Sequence, residues 1–126
     1  FLNKKLEPKA LGKELYQNLK IKILVLTLGN KGSLTFFNDK IFYAGVFKPR
    51  KLVDPTGAGD AFASAFFASL VLNKEINEET IKKAIIWGSA NASANIEKLG
   101  AQIGLLKKKD FLSYEKKKLS LKIWKS

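Results

Sequence analysis

The sequence predicts an α/β fold, and its first third already carries the main reasons. Pro8–Leu19 sets apolar residues at Leu11, Leu15 and Leu19, one face of a short helix. Ile21–Leu28 (IKILVLTL) follows as a nearly continuous β-branched and aliphatic run that stops at Gly29. That is the pattern of a strand buried on both faces in a parallel sheet. A helix feeding a buried strand is half of an α/β unit, and further helical patterns follow downstream.

Gly29-Asn30-Lys31-Gly32 reads as a turn with two glycines. Ser33–Phe37 and Ile41–Phe47 read as two strands of a β-hairpin joined by Asn38-Asp39-Lys40. Pro49 breaks the pairing, and Leu52-Val53 offers a last short strand. Ala58–Leu72 is apolar almost all round, which predicts a central helix covered on most sides, ended by Asn73 and Lys74. Asn77 is placed to cap the next helix, with Glu78 and Glu79 where the helix dipole favours acids. Ile81, Ile85, Gly88, Ala92 and Ile96 fall on one face of that helix, and Gly100 is placed to close it. Its small residues (Gly88, Ser89, Ala90, Ala92, Ser93, Ala94) make it thin, so another element or a flat ligand can approach closely. Asp110–Lys118 fits a final amphipathic helix, and Leu119–Trp124 is ambiguous between helix and strand.

The 126 residues, 46% of them hydrophobic, suffice for one domain with a real core. The chain has no Cys and no His, which excludes disulfides, thiolate chemistry, imidazole acid/base work and the common zinc sites. Chemistry must come from carboxylates, hydroxyls, backbone amides, Lys or Arg. Neither a membrane-spanning run nor a signal-peptide pattern is visible, so a reducing cytoplasm is the expected location. The chain opens on Phe1 and contains no Met, which predicts a piece of a longer polypeptide. The net charge of +12 comes from scattered lysines, densest at Lys107–Lys109 and Lys116–Lys118, and Arg50 is the one arginine. This suits a solvated Lys-rich surface better than a nucleic-acid reader, whose base contacts favour Arg. Such a field still draws phosphate-bearing small substrates.

Residues 53–62 read VDPTGAGDAF. With Val53 ending a strand and Phe62 inside a helix, Gly57, Ala58 and Gly59 lie at a helix N-terminus. The amides there lack intrahelical acceptors, and the helix dipole adds partial positive charge. The glycines let a bulky anion approach without a Cβ in the way. The result is an anion hole suited to phosphoryl oxygens. Asp60 beside it would repel a phosphate, unless its partner is a hydroxyl that loses a proton while attacking phosphorus. The bland alternative is that Asp60 and Thr56 cap a core helix. Capping explains one polar residue and one glycine, not Asp54, Pro55, Thr56, Gly57, Gly59 and Asp60 together. Neither a Walker A loop nor a G-x-G-x-x-G fingerprint fits these residues.

VDPTGAGDAFASAF closely resembles the D-[TP]-T-G-A-G-D signature of the PfkB (ribokinase-like) carbohydrate kinases. TLGNKGS (Thr27–Ser33) resembles that family's T-L-G-x-x-G turn, and WGSANASANIEKLGAQ (Trp87–Gln102) its late helix ending in G-A. The resemblance implies a ribokinase-like (Rossmann-like) three-layer αβα fold. It implies transfer of the γ-phosphoryl of ATP to a hydroxymethyl group of a sugar or nucleoside, with Mg2+ as cofactor. It makes Asp60 the catalytic base, facing the acceptor hydroxyl, and Gly57, Ala58 and Gly59 the anion hole. Thr27, Gly29 and Gly32 would line the nucleotide side, with Thr56 beside the phosphates. Asn91 is either an adenine contact or an ordinary polar residue on a small-residue helix. Many family members bind a monovalent cation such as K+ through the loop matching Asp54 and Thr56.

Family members run to about twice this length or more, and their first half holds the sugar-recognising residues, the lid and an N-x-x-E motif that organises magnesium. This chain contains no N-x-x-E. Residues 1–126 therefore read as the C-terminal ATP-binding and catalytic portion of such a kinase, inactive alone. The full-length family often dimerises. The rival from another class is a truncated, non-catalytic nucleotide- or phosphate-binding module. A basic nucleic-acid-binding domain, motivated by the charge alone, gives Asp60 no role.

Overall fold

Asn38 and Asp39 turn the chain with φ of 49° and 60°, the left-handed conformation at both central positions of a two-residue hairpin. Asn and Asp tolerate that conformation better than other side chains, and such a turn matches the right-handed twist of the strands it joins. The computed structural model describes residues 8–19, 22–47, 58–96, 113–115 and 119–125. They divide into two compact units, one of residues 1–45 with 120–126 and one of residues 46–119.

The first unit holds helix α1 (Pro8–Leu19) and strands β1 (Ile23–Thr27), β2 (Ser33–Phe37), β3 (Lys40–Ala44) and β4 (Leu121–Lys125). The sheet is antiparallel throughout, in the order β1-β2-β3-β4. Phe36 faces Ile41 and Leu34 faces Tyr43 across the hairpin. Leu34, Phe36 and Ile41 form a core against Tyr16, Leu24, Leu26, Leu28 and Tyr43. Thr35 and Phe42, paired on the opposite face, are also fully buried, so the middle of the sheet is covered on both sides. The Tyr16 hydroxyl donates to the Lys22 carbonyl (3.3 Å) and accepts from the Asn38 amide (3.1 Å), tying α1 to the end of the β1–β2 pair where Ile23 faces Phe37.

Three expectations change here. The hairpin turn is two residues, not three, because Lys40 pairs with Phe37 and opens β3. That strand ends at Ala44 rather than Phe47, where the Gly45 amide turns to the Ser120 carbonyl at 2.8 Å. β1 is antiparallel, and its residues 23–26 are half-buried rather than buried on both faces. It borders β2 alone, so among the described residues its other edge has no strand. The ambiguous C-terminal stretch resolves as β4, and the pairing of Trp124 with Ile41 shows why. A short alternating run adopts whatever conformation its partner strand offers.

The second unit holds helices α2 (Ala58–Asn73) and α3 (Glu78–Ile96). Asn77 caps α3: its Oδ1 accepts from the Thr80 amide (3.0 Å), and its own amide donates to Thr80 Oγ1 (2.9 Å). This reciprocal pair is a capping box with Thr in the usual Glu position. Lys74, at φ 60°, ends α2 and donates to the Leu70 carbonyl at 3.1 Å. The link of residues 74–77 returns α3 antiparallel, so Phe62 meets Gly88. Ala61, Phe62, Ala65, Phe66, Ser69 and Leu70 are buried, whereas Phe67, Val71 and Leu72 are exposed. The expectation of a helix covered on most sides therefore holds for one face only, the face that α3 and the cluster of Phe47, Ala65, Trp87 and Ala90 occupy. Residues 113–115 are helical and dock on α3, where Trp87 Nε1 donates to Glu115 Oε1 at 2.8 Å. Tyr114 meets Phe47 edge-to-face at 5.0 Å. The remainder of the expected Asp110–Lys118 helix, Pro49, Leu52-Val53 and Gly100 lie outside the described residues.

Gly12 lets α1 lie close on the sheet: a Cβ there would overlap the Phe36 ring and touch Leu26. Gly12→Ala gains about 1 kcal/mol of helix propensity but over-packs a buried ring, at a cost of about 1–3 kcal/mol. The expected net result is a lower thermal midpoint for the complete translation product, read by circular dichroism. An unchanged or raised midpoint would mean that α1 is not seated this way.

Candidate active site

Ala58, Gly59 and Asp60 form the first turn of α2, and Asp60 is the acidic residue of that turn. The first four amides of any helix lack intrahelical acceptors. In α2 those of residues 58–60 are among them, and 16 residues of aligned peptide dipoles stand behind them. Gly59 and Asp60 are exposed. The next two residues are not: Ala61 is 0% and Phe62 4% exposed. Successive helical residues point about 100° apart. Burying positions 61 and 62 against α3 therefore turns positions 59 and 60 outward.

Two contacts from α3 hold this turn. The Phe62 ring lies over Gly88, where an added Cβ would stand 3.0 Å from three ring carbons. Asn91, 2% exposed, donates from Nδ2 to the Ala61 carbonyl at 2.8 Å. Burying a Phe side chain contributes roughly 1.5–3 kcal/mol, and a single hydrogen bond about 0.5–1.5 kcal/mol net. Phe62 thus supplies most of the adhesion, and the directional bond of Asn91 supplies orientation. The thin surface of α3 admits an element closely, as its small residues imply. At Gly88 that element is α2, and the flat group is the Phe62 ring.

In the first unit, Thr27 ends β1 and is exposed, and Gly29–Lys31 make a 3-10 turn. The turn closes on itself through Leu28 N–H to the Gly32 carbonyl (2.7 Å), Lys31 N–H to Leu28 (3.2 Å) and Gly32 N–H to Gly29 (3.2 Å). The Tyr43 hydroxyl donates to the Lys31 carbonyl at 2.7 Å and braces the turn from β3. Gly29 has φ 61° and open space where a Cβ would stand. Gly32 has φ 102°, and a Cβ there would overlap the Ala44 carbonyl oxygen. The two glycines therefore differ in kind: one serves a backbone conformation, the other a close approach to β3.

The structure thus gathers Thr27, Gly29 and Gly32 in one turn of the first unit. It gathers Ala58, Gly59, Asp60 and Asn91 at one end of the helix pair in the second. Asp54, Thr56 and Gly57 lie outside the described residues. Among the described residues no group of three or more acidic side chains could hold a metal ion, and no helix is long and apolar enough to cross a membrane. The sequence reading missed the brace from Tyr43 and the contacts of Phe62 and Asn91. All three join residues far apart in the chain; the small-residue stripe of α3 hinted at the contacts of Phe62 and Asn91, and nothing local marked the brace from Tyr43.

The profile described as pfkB family carbohydrate kinase matches residues 1–108. A nucleoside kinase of Methanocaldococcus jannaschii is 33% identical over 86 residues, covering 68% of this chain and 27% of its own length. An ATP-dependent 6-phosphofructokinase of Thermoanaerobacterium thermosaccharolyticum is 31% identical over 90 residues, 71% of this chain and 26% of its own. The crystal structure of a ribokinase from Thermotoga maritima superposes with a TM-score of 0.73 at 27% identity, over 93% of this chain and 37% of that one. The chain thus spans about a quarter of the length of these curated relatives, and its fold is ribokinase-like.

The contrast between the glycines is testable. Gly29→Ala is expected to cost about 1–2 kcal/mol for a left-handed residue with room. Gly32→Ala is expected to cost about 2–6 kcal/mol, strain and overlap together. Chemical denaturation of the two variants measures the difference. Equal costs would contradict the close approach of Gly32 to β3.

Proposed function

This chain belongs to the pfkB family of carbohydrate kinases, and we propose on that premise that it moves the γ-phosphoryl group of ATP to a hydroxymethyl group of a sugar or nucleoside. In this reading it is the C-terminal, ATP-binding and catalytic portion of the kinase. One observation carries the proposal: Gly59 and Asp60 are exposed at the N-terminus of α2 while the two residues that follow are buried.

The Asp60 carboxylate accepts the proton of the acceptor hydroxyl as its oxygen attacks the γ-phosphorus. A new O–P bond forms, the bond to the β,γ-bridging oxygen breaks, and ADP leaves with the bonding pair. The amides of residues 57–59 face the equatorial oxygens of the group in flight, where charge collects. Thr27, Gly29 and Gly32 line the nucleotide, and Thr56 stands beside the phosphates. Magnesium bound with ATP supplies charge neutralisation. The described residues contain no cluster of carboxylates to hold it, and no step here runs through it. A K+ ion at the loop of Asp54 and Thr56 belongs to the same proposal. The names of the relatives support both a nucleoside and a sugar phosphate as acceptor class. A cytoplasmic location and a dimer of the complete kinase complete the reading.

The second reading is a nucleotide- or phosphate-binding module without turnover. It needs only an exposed helix N-terminus, which α2 has at Gly59 and Asp60. Titration of ATP with and without sugars or nucleosides separates the two. Acceptor-dependent release of ADP supports the kinase, and saturable ATP binding without it supports the module.

Asp60→Asn tests the base directly. In the complete translation product, turnover is expected to fall by about 10²–10⁴-fold, the span of general-base catalysis, with ATP affinity nearly unchanged. A loss below about tenfold would remove Asp60 from the reaction.

A further inference from the structure

We propose that Asn91 is a positioning residue for phosphoryl transfer: its bond to the Ala61 carbonyl sets the rotation of the first turn of α2 and with it the direction of the Asp60 carboxylate. The proposal rests on Asp60 as the proton acceptor.

The argument begins with cost. Asn91 is 2% exposed on a helix whose neighbouring positions are Gly88, Ala90 and Ala92. A buried amide is unfavourable unless hydrogen-bonded, and an apolar residue would fill the position without that liability. What the amide offers instead is direction. The facing surfaces are small: Ala61 and Ala65 on α2, Gly88 and Ala90 on α3. Small surfaces interlock weakly, so around Ala61 the packing of the Phe62 ring still leaves the turn some freedom of rotation. A buried Asn is a known means of choosing one helix register among several. Here Nδ2 reaches the Ala61 carbonyl at 2.8 Å across 30 residues of chain.

The partner's place makes the bond functional. Ala61 directly follows Asp60, and its carbonyl, already an acceptor in the helix ladder, takes Asn91 on a second lone pair. Phe62 is seated over Gly88, three residues before Asn91. Positions 61 and 62 are thus both fixed from α3, and the outward direction of position 60 follows from helix geometry. Losing the bond leaves the helix formed and Phe62 seated but loosens the turn that carries Asp60, which spoils the aim of the carboxylate more than the binding of ATP.

Asn91→Leu removes the donor while keeping the branched shape, and Asn91→Ser, too short to reach the carbonyl, serves if the larger leucine prevents folding. In the complete translation product, kcat is expected to fall by about 10–100-fold, as for a misplacement of about 1 Å, while KM for ATP stays within about twofold. In an Asp60→Asn background the same change is expected to have little further effect on kcat, because the two residues act as one unit. A rise in KM for ATP with kcat preserved would make Asn91 an adenine contact and overturn the proposal. An unchanged kcat, or a loss repeated in full in the Asp60→Asn background, would overturn it as well. An active Asp60→Asn enzyme overturns the assignment of Asp60, and this proposal with it. An inactive Asp60→Asn beside an unaffected Asn91→Leu overturns only the role of Asn91.

Discussion

A helix N-terminus that handles a migrating anion must satisfy opposed demands. Its first amides must stay unpaired and open to the ligand, yet the turn that carries them must not move. Unpaired amides are ordinarily a source of fraying. In the proposed site the demands fall on adjacent residues. Gly59 and Asp60 face outward, and Ala61 and Phe62 are buried against α3. The Phe62 ring on Gly88 and the Asn91 amide on the Ala61 carbonyl together convert a loose end into a fixed one. Chemistry requires this order, because electrostatic stabilisation acts through dipoles that are already in place when charge develops.

The sheet unit meets a comparable demand with other means. Its glycine turn is fastened by its own carbonyls, by the Tyr43 hydroxyl and by the close approach of Gly32 to Ala44. Among the described residues β1 is bordered by β2 alone, and Phe67, Val71 and Leu72 leave an apolar face of α2 exposed. Both features belong to a chain that spans about a quarter of its relatives' length.

Local signals were legible in the sequence. The cap at Asn77, the hairpin around Asn38-Asp39, both long helices and the glycine-rich entry to α2 each depend on residues within a few positions of one another. What was not legible depends on partners far away. The run Ile21–Leu28 is apolar enough for a strand flanked on both sides, but strand direction is set by the neighbour, and β2 supplies an antiparallel one. Leu119–Trp124 had no local preference until β3 lay beside it. At the candidate site, Asp60 and the glycines announce themselves by composition. Asn91 does not, because one Asn on a small-residue helix is compatible with contact to a ligand or to the protein, and its bond to the Ala61 carbonyl joins residues 30 positions apart.

The central claim is that peptide amides at the start of α2 hold the phosphoryl group while Asp60 takes the alcohol proton. A crystal structure of the complete protein with ADP, aluminium fluoride and an acceptor alcohol tests it most directly. The account predicts fluoride ligands about 2.7–3.1 Å from the amides of residues 57–59, and an Asp60 carboxylate oxygen about 2.6–3.2 Å from the acceptor hydroxyl. A phosphoryl analogue seated elsewhere, or an Asp60 carboxylate turned away from the alcohol, would contradict it.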